Sequence, residues 1–153
     1  GSLDFSNFPQ LQSLALITQS ADEWGTIYTG LDTLQNLRML DGMTYEGYSD
    51  ISFLSGMPAL EWCDLKLTQV TDLSAFSNLQ HLRSLYLTGV TGNADISILQ
   101  QLPALEAMGV LVTDEENGDE RYFMVDGQQT DNDMMMERHI VISDEVYQKI
   151  FEN

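Results

Sequence analysis

Positive charge is what this chain has least of. Six Lys and Arg stand against 24 Asp and Glu over 153 residues, a formal net charge of −18 at pH 7. That balance argues against nucleic acid, because binding phosphates needs concentrated Lys and Arg, and against anionic membrane surfaces. Basic proteins are instead steered toward such a chain, at rates that fall with salt. Cysteine is confined to Cys63, which excludes an internal disulfide and leaves the redox compartment open. At a strand core position Cys63 reads as a small buried hydrophobe. Histidine is confined to His81 and His139, and no Ser-His-Asp order, HExxH, phosphate-binding glycine loop or cysteine pair is present. Carboxylates are plentiful, but nothing marks one pair as desolvated, so the chain is read as non-catalytic, without cofactor or metal. No apolar run approaches the length of a membrane-spanning helix, so no membrane insertion is expected.

Leucine, by contrast, is abundant and regularly spaced. The pattern Leu-x-x-Leu-x-Leu, or a close variant, begins at Leu11, Leu37, Leu60, Leu82 and Leu105, at offsets of 26, 23, 22 and 23 residues. Its core positions read Leu11/Leu14/Leu16, Leu37/Leu40/Gly42, Leu60/Cys63/Leu65, Leu82/Leu85/Leu87 and Leu105/Met108/Val110. Upstream of each copy, apolar residues recur three apart, as in Ile51, Leu54, Met57 and Leu60, or Leu73, Phe76, Leu79 and Leu82. Period three suits a tight 3₁₀ or short helical turn with one apolar edge. The period-two stretch that follows suits a short strand with one buried face. Leucines three apart also fit an amphipathic helical bundle, but five copies in one register, separated by turn residues, favour a repeat.

A chain of this spacing resembles the short leucine-rich repeat class, about 22 residues per coil, found in internalins and in a protein phosphatase-1 regulatory subunit. The resemblance covers residues 3–112. It implies an α/β fold: a right-handed solenoid of five coils, with parallel strands on the concave side and short helical or 3₁₀ turns on the convex side. Such coils are stabilised by their neighbours, because none buries its leucines alone. One position departs from the class. Where an asparagine usually follows three residues after the last strand leucine, this chain has Thr68 and Val90, so an asparagine ladder is absent.

The domain reading is an expression scar at 1–2, the repeat at 3–112, and a closing unit at 113–153. The first strand, Ser13 to Ile17, should be an edge, available for dimerisation unless Thr18 to Tyr28, with Trp24, folds back over it. At the other end, Gly109 to Val125 reads as a hairpin about Asn117-Gly118. A two-residue turn there sets Glu116 opposite Asp119, Glu115 opposite Glu120 and Asp114 opposite Arg121, and the like-charge pairs cost stability. The acidic tip does not match the spacing of an EF-hand calcium loop. Residues 126–137, with Met134 to Met136, read as a flexible loop and Arg138 to Ile142 as a strand. Ser143 then caps a short helix whose stripe is Val146, Tyr147, Ile150 and Phe151.

Candidate binding residues come from the strand positions expected to face outward, the third, fifth and seventh of the pattern. Stacked strands lie about 4.8 Å apart, so residues in one column are neighbours. Reading across the copies brings Trp62 and Tyr86 close together, flanked by Met39 and Met43, with Asp41 beside Asp64 and Lys66 nearby. Clustered aromatics on a solvent face mark an interface. Two carboxylates side by side invite a cationic group. The function expected is therefore a non-catalytic module that binds a basic protein on its concave strand face. The alternatives are an acidic inhibitor or immunity-type protein that neutralises a basic enzyme, and an extracellular adhesion module of the kind the resemblance implies.

Overall fold

Apolar residues three apart are tied to one another through the backbone. The Phe8 N–H donates to the Phe5 carbonyl at 2.9 Å and the Leu11 N–H to Phe8 at 3.1 Å. The same ladder runs through Leu31, Leu34 and Leu37, and through Ile51, Leu54, Met57 and Leu60. It recurs through Leu73, Phe76, Leu79 and Leu82, and through Ile96, Leu99, Leu102 and Leu105. Bonds of this length in sequence make 3₁₀ turns, which eclipse every third side chain and so gather one apolar edge. In the computed structural model the turns span Phe5–Asn7, Leu31–Thr33, Ser52–Gly56 and Ser74–Phe76, and the fifth copy closes as a single α-helical turn, α1 (Ser97–Gln100). The structure describes residues 2–16, 27–44, 50–91, 94–113, 116, 118, 120–124 and 129–130.

In chain order the strands are β1 (Ser2–Asp4), β2 (Ser13–Ala15), β3 (Ile27–Thr29), β4 (Met39–Thr44), β5 (Trp62–Val70), β6 (Ser84–Thr91), β7 (Ala107–Thr113), β8 (Glu120–Met124) and β9 (Gln129–Thr130), and the five turns lead into β2, β4, β5, β6 and β7. The main sheet has the order β2-β4-β5-β6-β7-β8-β9, parallel from β2 to β7 and antiparallel through β8 and β9. A second, two-stranded sheet pairs β1 with β3 in parallel. The fold is thus α/β, with parallel strands joined through short 3₁₀ turns. The copies interlock just before each strand, where one carbonyl accepts two N–H groups from the next copy. Gln12 accepts from Arg38 and Met39, Arg38 from Glu61 and Trp62, Glu61 from Arg83 and Ser84, and Arg83 from Glu106 and Ala107.

The core lies between turns and sheet. Leu34, Leu37, Leu40, Leu54, Met57, Leu60, Leu65, Leu79, Leu82, Leu85 and Leu87 are all fully buried. Four turns are also capped alike. The carboxylates of Asp4, Asp50, Asp72 and Asp95 accept from the backbone N–H of Ser6, Ser52, Ser74 and Ser97 at 2.9–3.0 Å, satisfying a donor the turn leaves open. These serine hydrogen bonds hold the Asp4, Asp50 and Asp72 carboxyls below their ordinary range. In the second copy Gly30 replaces the aspartate at φ +73°, where an added Cβ would stand 2.5 Å from the Ser6 nitrogen.

Three local expectations are corrected. In β4 the pairing shifts by one residue between Asp41 and Met43, so Met43 registers with Leu65 and Thr44 with Lys66. Gly42, which offers no side chain at the core position, is the extra residue of a bulge, and the following residues slip into its place. In the closing hairpin, Thr113 pairs with Glu120 and Val112 with Arg121. A register that runs through Glu116/Asp119 and Glu115/Glu120 would set like charges face to face; the observed one places Glu120 opposite Thr113 and Arg121 opposite Val112. Within the stretch read as a loop, Gln129 and Thr130 form β9, paired with Phe123 and Tyr122. The segment 17–26 with Trp24, the methionines Met134 to Met136, the strand Arg138 to Ile142 and the helix from Ser143 lie outside the described residues.

Gly56 ends the third turn, close against the backbone of the second copy. A Cβ there would stand 1.9 Å from the Asp32 carbonyl oxygen, a backbone atom that has no rotamer to escape into. Gly56→Ala is therefore expected to destabilise the fold by about 1–3 kcal/mol, the usual range for overpacking. A urea titration checks it, with the midpoint lowered at unchanged slope; an unchanged midpoint would mean that the copies are not this tightly stacked.

Candidate functional site

Strand register decides which side chains are neighbours. Met39, Trp62, Ser84 and Ala107 align across β4 to β7, and so do Asp41, Asp64, Tyr86 and Gly109. The sequence-derived columns at these two positions are therefore the observed ones. Lys66 pairs with Thr44 and Thr88 and is exposed. Met43 leaves its expected column through the bulge, as described above.

The exposure expected of the aromatics is overturned. Trp62 is 9% and Tyr86 4% exposed, with Ser84 and Ala107 buried beside them. Alternation of buried and exposed residues holds for a sheet that is covered on one face only. Parallel strands are commonly buried on both, and every residue from Ser84 to Leu87 and from Ala107 to Val110 is buried. Small neighbours allow this, since Ser84 and Ala107 beside Trp62 and Gly109 beside Tyr86 leave room for each ring to lie along the sheet. The Trp62 indole nitrogen, the Ser84 hydroxyl and the Tyr86 hydroxyl are all shut off from solvent. Burial pushes the Tyr86 phenol up to about 12; its hydrogen bond with Ser84 opposes the rise and the Asp64 carboxylate adds to it.

What stays accessible on this face includes a pair of carboxylates. Asp41 and Asp64 are paired in register on adjacent strands, and both are half-buried, as is Met39. Their field reaches the sheet interior. The fully buried Cys63 thiol is pushed well above its ordinary range by burial first, then by Asp64 and Asp41. A thiol so placed stays protonated and offers no nucleophile. Among the described residues, no group of three or more His, Cys, Asp or Glu side chains is placed to hold a metal ion, and no helix is long and apolar enough to cross a membrane.

Two features escaped the sequence reading. The position after each repeat leucine holds Gln12, Arg38, Glu61, Arg83 and Glu106, alternating in charge from the second copy on. Arg38 Nε pairs with Glu61, and Arg83 pairs with Glu106 at 3.0 Å. Such part-exposed pairs contribute no more than about 1 kcal/mol each, but they occupy two of the six Lys and Arg. The alternation is visible in the sequence once the copies are aligned. So is the Asp-x-Ser cap, which recurs at Asp4, Asp50, Asp72 and Asp95. Between the third and fourth turns, Asp50, Ser52, Ser55, Asp72, Ser74 and Asn78 line a groove of about 270 Å³. Both of its carboxylates already serve as caps.

Compared with protein-family models and with curated proteins, the chain matches none.

Burial makes two outcomes measurable. Trp62→Ala is expected to cost about 3–5 kcal/mol of stability, the range for emptying a buried aromatic site; an unchanged denaturation midpoint would return Trp62 to the surface. For Tyr86 the folded phenol holds its proton above the unfolded value of 10. Its contribution is therefore complete below pH 10 and is lost as pH rises through about 12. Tyr86→Phe should flatten that alkaline loss in denaturation midpoints measured along a pH series, and an equally steep loss in the variant would assign it to other groups.

Proposed function

We propose that this chain is a short-class leucine-rich repeat solenoid of five right-handed coils, and that it binds a basic protein through the acidic part of its strand face without doing chemistry itself. The solenoid reading is supported by five copies that share one register of turn and strand, with a double-acceptor carbonyl at each of the four junctions between them. The binding reading rests on one observation above the others. Asp41 and Asp64 stand side by side on adjacent parallel strands in a chain whose net charge is already −18.

Two unit charges about 4 Å apart repel by roughly 1 kcal/mol even in water, and by more on a surface of lower dielectric. A guanidinium or ammonium group placed between them relieves that repulsion on binding, so a cationic side chain gains more here than at an isolated carboxylate. The remaining acidic surface supplies long-range steering, which raises association rates and fades with ionic strength. Trp62 and Tyr86 enter this proposal only as buried neighbours of the carboxylates in the same sheet. Met39 and Lys66 border them.

The test compares wild type with Asp41→Asn/Asp64→Asn, each immobilised, loaded with extract from the native host and eluted along a salt gradient. The wild type should retain a basic protein that elutes early, and the variant should release it at still lower salt or fail to hold it. Equal retention by both would move the contact off the strand face, and a partner that resists salt would remove electrostatics from the account.

A further inference from the structure

Aligned columns reveal what the first copy lacks. Three residues before the repeat leucine, Leu34, Met57 and Leu79 are fully buried and Leu102 is 6% exposed, whereas Phe8 is 51% exposed. At the repeat leucine, Leu37, Leu60 and Leu82 are fully buried, whereas Leu11 in the first copy and Leu105 in the fifth are half-buried. Inside the strand, Leu40, Cys63 and Leu85 are fully buried and Leu14 again half so. The inner side of this coil is complete: Phe5 is buried, with the Tyr28 ring 6.0 Å away. Its outer side is not. There β2 is the terminal strand of the main sheet, with Ser13 and Ala15 exposed, and Leu3 on β1 is 41% exposed. Leu3 and Phe8 are the exposed large hydrophobics among the described residues.

We propose that this open face joins two copies of the chain, packed first coil against first coil about a two-fold axis. Two observations favour a second copy as the occupant. At the other end of the parallel run, β7 is already paired with β8, and β8 with β9, so a first coil cannot stack in parallel on β7; an isologous contact between first coils ends at two chains. Charge points the same way. Asp4 is the single ionisable side chain among residues 1–20, in a chain of net charge −18, so two copies approach at this end against the least repulsion. The β2 strands run antiparallel across the axis and continue the sheet, and Phe8 of each copy packs beside it. Salt acts here with the opposite sign to partner capture: it screens the repulsion between two acidic chains and tightens the dimer.

Sedimentation velocity across the micromolar range, at low and high salt, tests this with wild type, Phe8→Arg and Ala15→Lys. Both side chains are exposed in the single chain, so the fold, checked by circular dichroism, is kept; should one variant unfold, the other carries the test. Wild type is expected to shift from one to two chain masses as concentration rises, at lower concentration when salt is high, while each folded variant stays at one. A wild type that is monomeric throughout overturns the proposal. So does a dimer that survives both substitutions, or a mass that grows beyond two chains.

Discussion

No copy of the repeat can bury its own leucines. A turn three residues in period and a strand two in period each present one apolar edge, and these edges meet only when the next copy lies in register. The double-acceptor carbonyls of Gln12, Arg38, Glu61 and Arg83 set that register through the backbone, independent of side chain. Everything else follows from it: full burial of the leucine columns in the middle copies, half-burial in the first, and the closing of the far end through β8 and β9. Stability in such a stack is a sum of neighbour interfaces, so an end copy with one neighbour holds less than a middle copy with two. Leu14, half-buried where Leu40, Cys63 and Leu85 are fully buried, records that difference.

Much of this was legible because leucine spacing is a backbone signal. Period three and period two name the turn and the strand, and the alignment of copies names the columns; the observed pairing Met39–Trp62–Ser84–Ala107 is the one the alignment gives. Gly42 shows where the reading slips. Alignment treats it as a core position with its side chain missing, whereas the strand bulges and advances Met43 into register with Leu65. One residue of slip is invisible to a pattern that tolerates substitutions.

The candidate site was less legible, for a different reason. Alternation tells which residues share a face of the sheet but not whether that face meets solvent. Trp62 and Tyr86 share a face as expected and are buried on it all the same. Their neighbours Ser84, Ala107 and Gly109 were the available hint, since a ring next to small residues has space to lie flat instead of standing into water. Asp41 and Asp64 were placed correctly because a registered pair of charges depends on register alone.

Carboxylates in this chain divide by the work their position allows. Asp4, Asp50, Asp72 and Asp95 hold turns, and hydrogen bonds from serine keep three of them charged below the ordinary range. Glu61 and Glu106 sit in the alternating column, each against an arginine of the preceding copy. Asp41 and Asp64 stand in register on adjacent strands, like facing like, and so concentrate their field at one place. The location of that pair follows from the same register that packs the leucine columns of the strands.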